Sequence, residues 1–534
     1  MGARGSHTGP APGSGEASVD ESGQLARVHS ATVAGVGARL VTVEVHRGNG
    51  LPTQSIVGLP GSAVRESLDR VHAACAHHGF ALPPRRTTIN LAPADVRKSG
   101  AGLDLPIALG LLLADGALPP DRLASTLCVG ELSLDGRLQA ARGILPAVLA
   151  ARKAGLTRAL VPPDNAAEAA AVQGVDVVTF ADLRAAAGWV AGEVEPDAIA
   201  ERPPTSVPAP DEDLAEIRGN PIARRALEIA AAGQHHLLFA GPPGAGKTLM
   251  ARALPGLLPP LSYEEALECS AVYSVVGQLH GRGLLRTRPF RAPHHSATAA
   301  GMLGGGQPLR PGEISLATAG VLFLDELPEF SRRVIEALRE PLEVGGVRLA
   351  RARESHEFPA RFQLVAAMNE CPCGRGPADQ RCVCSDGETL RYARRVSGAL
   401  ADRIDLYVDV ARVPLEELVH GQPAESSDVV RERVVAARQR QAERGRTPDG
   451  TPLTNARLHP RDLVETCGLD ANRLERARVV AEQLRLSARA WHRMLRVART
   501  IADLEARDDV GEEHLLEALR YRRSADTPFA SLPG

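Results

Sequence analysis

The chain has 534 residues, 44% hydrophobic and 24% charged, with a formal net charge of −2. That composition fits a globular protein of two to four domains, and the near-neutral balance excludes a whole-protein basic field for nucleic acid. An aromatic content of 3% argues against binding built on base stacking.

Residues 1–24 lack apolar periodicity and read as a disordered tail. They are rich in Gly, Ser and Pro without an apolar core, unlike a secretory signal. No apolar run anywhere reaches about 18 residues, so no membrane span is indicated and the expected location is the cytoplasm.

A compact α/β domain is expected over 25–190. Leu40–Val45 alternates like a strand, Ser62–His78 reads as a helix ended by Gly79, and Thr87–Leu91 is a second strand. Leu103–Leu113 is apolar enough for a buried helix. Leu127–Gly130, a turn at Asp135-Gly136, a helix over Leu145–Ala154 and the strand Ala159–Val161 follow. The run Gly130-Glu-Leu-Ser-Leu-Asp-Gly-Arg137, the helix after it and Ala159-Leu-Val-Pro162 resemble the proteolytic domain of Lon-type proteases. In the register of that resemblance Gly102 stands where the serine nucleophile belongs, and no lysine lies near Leu145–Ala147 for the dyad. Lys98 and Ser99 are neighbours, which on a strand point to opposite faces. The expectation is a protease-like fold that has lost its nucleophile, with an ATP-dependent protease as the remote alternative.

Residues 191–212 are Pro-, Ala- and acid-rich and read as a linker, ahead of a motor core over 213–412 and a helical lid domain over 413–534. The motor is organised around Gly241, Pro242, Pro243, Gly244, Ala245, Gly246, Lys247 and Thr248, which fit G-x-x-x-x-G-K-[ST]. The apolar His235–Ala240 before it is strand-like. Leu249, which joins the expected nucleotide-binding set, opens a helix that Pro255 is expected to stop. Glycines let backbone N–H groups close around phosphates, and the helix N-terminus adds partial positive charge. Lys247 would neutralise the β and γ oxygens, and the Thr248 hydroxyl would ligate Mg²⁺. The chain has only three lysines, Lys98, Lys153 and Lys247, so a lysine at this position stands out.

Val321-Leu-Phe-Leu-Asp-Glu326 is a buried-strand pattern ending in two acids. Such a strand delivers ligands at its C-terminal end. Asp325 would hold Mg²⁺ and Glu326 would polarise the attacking water of ATP hydrolysis. Asn369 ends the next apolar strand, where an amide could orient water against the γ-phosphate; an ordinary strand-end turn is the alternative. Between the two acidic and basic motifs, Arg288–Ser296, Gly301–Gly306 and Pro311–Leu316 suit a mobile loop facing a central pore. His294 and His295 read there as loop hydrogen-bonders rather than metal ligands.

Cys371, Cys373, Cys382 and Cys384 form two C-x-C pairs that could surround one structural Zn²⁺; free or redox-active thiols are the alternative. Residues 431–500 hold 16 Arg and 8 acids. A lid over the nucleotide, a DNA-backbone contact or solvated helix faces would each use that excess.

Ile56-Val-Gly-Leu-Pro60, Asn90-Leu-Ala-Pro-Ala-Asp95, Arg291-Ala-Pro-His-His295, Gly312-Glu-Ile-Ser-Leu-Ala317, Cys371-Pro-Cys-Gly374 and Ala498-Arg-Thr-Ile-Ala-Asp-Leu504 resemble the YifB/ComM family of magnesium-chelatase-like AAA+ ATPases. The resemblance covers nearly everything after the tail. It implies a P-loop AAA+ core, ATP and Mg²⁺ as cofactors, and a homo-hexamer. Its ComM branch implies a DNA branch-migration helicase for transforming DNA, with remodelling of a protein partner as the alternative. By the same resemblance Ile217 and Gly219 contact adenine and Asn369 is the sensor-1 residue. Arg403, in Ser397–Asp405, is the arginine finger acting in trans, with a surface ion pair to Asp402 or Asp405 as the alternative. Arg489 is the sensor-2 residue, with Arg493 as the alternative.

Overall fold

The computed structural model describes residues 25–98, 100, 102–196, 212–279, 281–351, 354–376, 379–396, 398–421, 424–447, 450–484 and 486–522. The expected tail, Ser99, Ser397 and most of the expected linker lie outside the described residues. By internal contacts the chain divides into two compact units, one of residues up to Pro204 plus Ser270–Leu285 and one of Thr205–Cys269 plus Arg286 onward.

The first unit is built on a seven-stranded mixed sheet. Its strands are β1 (Leu25–Ala34), β2 (Gly37–Gly48), β3 (Gln54–Val57), β4 (Arg86–Ala92), β5 (Thr126–Cys128), β6 (Arg158–Val161) and β7 (Asp176–Thr179), in the order β3-β4-β2-β1-β5-β6-β7. β1 and β2 pair antiparallel with Val28 opposite Val43, while β5, β6 and β7 run parallel. Around it lie α1 (Ser62–His77), α2 (Asp104–Ala114), α3 (Ile144–Lys153) and α4 (Leu183–Ala191). α2 is buried along its whole length, as an all-round apolar sequence requires. The buried Asp104 at its start is compensated by Arg70 at 2.7 Å, by the Ser67 hydroxyl and by the Leu132 N–H at 3.2 Å. Residues 270–285 lie inside the expected motor stretch, yet they belong to this unit. Ser274 O accepts from Gly143 N at 3.0 Å, and Ser274 Oγ from Leu145 N at 3.3 Å.

The second unit holds a five-stranded, all-parallel sheet. Its strands are β8 (Leu237–Ala240), β9 (Phe290–Arg291), β10 (Val321–Leu324), β11 (Gln363–Met368) and β12 (Leu406–Asp409), in the order β9-β10-β11-β8-β12. Every residue of β8, β10 and β11 is buried, which accounts for their unbroken apolar runs. Around this sheet are α5 (Pro221–Gly233), α6 (Lys247–Leu257), α7 (Ser427–Arg444), α8 (Ala488–Leu504) and α9 (Glu512–Arg520). Pro255 does not stop α6, which continues to Leu257. The proline falls in the last turn, where its missing N–H removes a single bond, and the buried Leu254 and Leu257 hold that turn to the core.

The C-terminal helices share this core through buried Met494, Leu495, Val497, Ala498 and Ile501 of α8. Ser487 caps α8 by accepting from Ala490 N at 3.2 Å. A buried polar seam ties the helices together. Gln441 Nε2 donates to Ala232 O at 3.0 Å, and Asn455 Nδ2 donates to Asp503 at 2.7 Å. Among the described residues no helix is long and apolar enough to cross a membrane.

Candidate nucleotide site

Parallel β8, β10 and β11 end at one edge of the sheet, and three motifs therefore meet there. The loop after β8 is pinned on both sides. Gly241 N donates to Met368 O at 3.3 Å, and Val410 N donates to Ala240 O at 2.7 Å. A methyl group on Gly241 would stand 2.1 Å from Val410 O, so the close approach of two backbones demands glycine. Gly244 and Gly246 take left-handed φ values of +78° and +88°, which turn the chain into α6.

Lys247 is largely buried at the start of α6. Its ammonium donates to Gly241 O at 2.6 Å, to Pro242 O at 2.9 Å and to Asn369 Oδ1 at 3.2 Å. Burial lowers its pKa, and Asp325, Glu370 and Glu326 oppose that shift. The Thr248 hydroxyl donates to Asp325 Oδ2 at 2.9 Å, which places the two expected Mg²⁺ ligands side by side. Glu326 has a left-handed φ of +51°, a strained value for a non-glycine residue. Its carboxylate faces His295 Nδ1 at 3.2 Å.

Residues 213–418 match the family described as magnesium chelatase, subunit ChlI. Residues 43–165 match subunit ChlI of Mg-chelatase, and 424–522 match its C-terminal family. A Salmonella typhimurium protein, uncharacterized and named YifB, is 44% identical over 93% of this chain and 97% of its own length. The competence protein ComM of Haemophilus influenzae is 43% identical over 93% of this chain and 97% of its own. The chain belongs to the YifB/ComM family. Its second unit carries the magnesium-chelatase-type AAA+ core of a YifB/ComM ATPase, and ATP with Mg²⁺ follows from that core.

Other predicted residues of this YifB/ComM chain stand away from the phosphate loop's own bonds. Ile217 is buried in the core, and a methyl on Gly219 would meet Val413 at 2.9 Å. Asn220, beside them, exchanges two hydrogen bonds with the Ala411 backbone, at 3.0 and 3.1 Å. Arg403 pairs with Glu343, and both line a cavity of about 380 Å³ with Glu336, Glu340 and Arg348. Arg489 reaches Asp402 at 3.3 Å from an exposed position, a contact worth little in water. Arg493 is anchored to Asp405 at 2.5 Å and to the Arg403 carbonyl at 2.8 Å.

The expected pore loop is a folded segment. Arg288 donates to Pro259 O and Ala319 O, both at 2.6 Å, and Arg291 forks onto Glu313 at 2.7 and 2.8 Å. A methyl on Gly312 would meet Met302 O at 2.4 Å, so this part of the glycine-rich pattern serves close packing. His294 bonds Ser296 at 2.9 Å as a loop hydrogen-bonder, but His295 reaches the site. Sequence periodicity had no means of finding it, because β9 is only two residues long.

The four sulfurs of Cys371, Cys373, Cys382 and Cys384 lie within 4.8 Å of one another, and none is in a disulfide. Cys371 is 3.4 Å from Cys373 and 3.7 Å from Cys382, and Cys373 is 3.7 Å from Cys382. A tetrahedron with zinc–sulfur bonds of about 2.3 Å has edges of about 3.8 Å. The donor set therefore fits one tetrahedral thiophilic ion, with the Gly376 N–H directed at Cys371 Sγ from 3.3 Å. The Arg375 N–H and the Cys371 thiol bring the Cys373 thiol down to about 6.

In the first unit a methyl on Gly102 would lie 3.1 Å from Val129 Cγ1, so the position has no room for a serine side chain without a shift. Leu145 and Ala147 are buried, and Lys98 is buried with its ammonium on Pro93 O.

Proposed function

We propose that this chain is a ring-forming AAA+ motor of the ComM type that hydrolyses ATP to translocate on DNA and drive branch migration of transforming DNA. The observation that carries the motor chemistry is the convergence of Lys247, Thr248, Asp325, Glu326 and Asn369 at one sheet edge. Gly241–Leu249 cradles the phosphates, Thr248 and Asp325 hold Mg²⁺, Glu326 polarises water and Asn369 orients it. Ile217 and Gly219 form the adenine side through their backbone. Arg403 serves a neighbouring subunit of a homo-hexamer, released from Glu343, and Arg489 completes the site as sensor 2. Cys371, Cys373, Cys382 and Cys384 hold a structural Zn²⁺. The domains are those expected above, 25–190 with a Lon-protease-like fold that has lost its nucleophile at Gly102, 213–412 apart from the 270–285 stretch that folds with the first unit, and 413–534, and the protein acts in the cytoplasm. The competence name of the 43% identical relative supports DNA as the substrate.

A second reading, remodelling of a protein partner, is favoured by one observation. Among the described residues, eleven of the arginines in 431–500, among them Arg433, Arg440, Arg444, Arg476 and Arg478, are paired with acids. Those acids neutralise much of the basic excess a phosphate backbone would use. ATPase rate with single-stranded, duplex and forked DNA, at low and moderate salt, separates the two. Strong, salt-sensitive stimulation by forks supports the DNA motor. Equal rates with every DNA favour a protein partner.

A further inference from the structure

The cysteine knuckle is joined at both ends to the elements that hold Asn369. On one side only Glu370 separates Asn369, at the end of β11, from Cys371. On the other side Cys384 leads directly into Ser385, which caps the helix Asp386–Arg395 by accepting from Glu388 N at 3.3 Å while the Glu388 carboxylate accepts from Ser385 N at 2.9 Å. That helix carries the buried Tyr392, whose hydroxyl faces the Asn369 backbone. The knuckle also lies close to the phosphate loop. A methyl on Gly374 would stand 3.5 Å from the Pro243 ring and 3.8 Å from Asn369 Nδ2, and Gly374 itself turns the chain with a φ of +80°. Asn369 in turn accepts from Lys247 at 3.2 Å.

We propose that the four-cysteine site is a metal-dependent brace of the nucleotide site. A thiophilic divalent ion of the zinc class joins the end of β11 to the start of the Tyr392 helix and so fixes Asn369 against Lys247 and Pro243. The reason is mechanical. Four thiolate bonds clamp Cys371 and Cys373 to Cys382 and Cys384, and ligand atoms held at one point restrict both flanking chains. Loss of the ion leaves the buried core strands in place but frees the sensor amide, so ATP affinity falls while the fold remains. This inference rests on the reading of the site as one that binds ATP.

The test uses the full-length chain. Cobalt(II) replacing the native ion should give the intense thiolate charge-transfer and visible bands of a tetrahedral four-sulfur site, and Cys373→Ser should weaken them. A fluorescent ATP analogue should then bind the metal-stripped protein about tenfold more weakly than the loaded protein, the size expected for one lost charge-assisted hydrogen bond, with recovery on adding Zn²⁺. Far-UV circular dichroism should be unchanged by stripping. Absence of the tetrahedral thiolate spectrum overturns the proposal, and so does equal affinity of stripped and loaded protein. Lys247→Ala separates the two layers. Binding that Lys247→Ala abolishes but that ignores the metal sinks the brace alone. No binding of the analogue in any metal state sinks the ATP reading and the brace together.

Discussion

His295 Nδ1 stands 3.2 Å from the carboxylate of Glu326, joining the loop after β9 to the end of β10. The contact exists because β9 and β10 pair in parallel, with Phe290 opposite Val321 and Arg291 opposite Leu322, so that their following residues emerge at the same edge. Glu326 leaves β10 in a left-handed conformation, which limits where its carboxylate can point.

His295→Ala should lower kcat for ATP about tenfold and leave KM unchanged, since the imidazole 3.2 Å from the Glu326 carboxylate limits where that acid can point, and a small misplacement of a catalytic group is costly. His295→Asn, which retains a donor, should recover part of the loss. Steady-state kinetics check this. A raised KM at constant kcat would assign His295 to substrate binding instead of positioning Glu326.

Glu326→Gln should retain nucleotide and lose hydrolysis by about 100-fold or more, the range for a positioned acid–base group. Wild-type turnover in this variant would remove Glu326 from the chemistry. Lys247→Ala should weaken ATP binding by about tenfold or more through loss of a buried cation from the phosphate loop, read by equilibrium titration.

Gly241→Ala should destabilise the second unit and impair nucleotide binding together. The added methyl meets Val410 O at 2.1 Å, and β8 and Val410 are buried, so neither backbone can retreat cheaply. Overpacking of this kind costs about 1–3 kcal/mol. Thermal unfolding should show a lower Tm than wild type. Gly387→Ala, where a methyl meets nothing within 4 Å, should leave nucleotide binding unchanged.

Stability should fall with acid before the carboxylates titrate. Burial brings His236 down to about 4 from 6.5, and its Nδ1 accepts from Leu364 N at 3.1 Å. The unfolded chain therefore binds a proton between pH 6.5 and 4 that the folded chain refuses. The neutral imidazole's contribution is complete above pH 6.5 and is lost as pH falls toward 4, by about 3 kcal/mol in all. Burial shifts the neighbouring His235 in the same direction. Urea unfolding at pH 7.5 and pH 5 should show the loss, and His236→Asn should reduce the difference.

The motifs that carry the AAA+ core are local in sequence, and their geometry was legible for that reason. Gly241–Thr248 is a contiguous loop whose glycines, lysine and threonine dictate a strand–turn–helix, and the apolar run into Asp325 and Glu326 can only be a buried strand. The cysteines were readable by spacing, and their sulfurs do gather within one ion's reach. Partnerships between distant segments were not readable. Arg403 meets Glu343 sixty positions earlier, and Arg493 of α8 is committed to Asp405 just before β12, because each pairing depends on how segments far apart in the chain pack together. Pro255 within α6 and the folding of 270–285 with the first unit were likewise settled by packing, which overrides local propensity.

Sequence alone determined the chemistry this protein can perform, since residue type and spacing decide which groups can cradle a phosphate, hold Mg²⁺ or bind a thiophilic ion. Tertiary structure decided which groups control that chemistry. His295 beside Glu326 and the cysteine knuckle against Pro243 and Asn369 arise only when parallel strands bring separate loops to one edge, and no local pattern encodes that register.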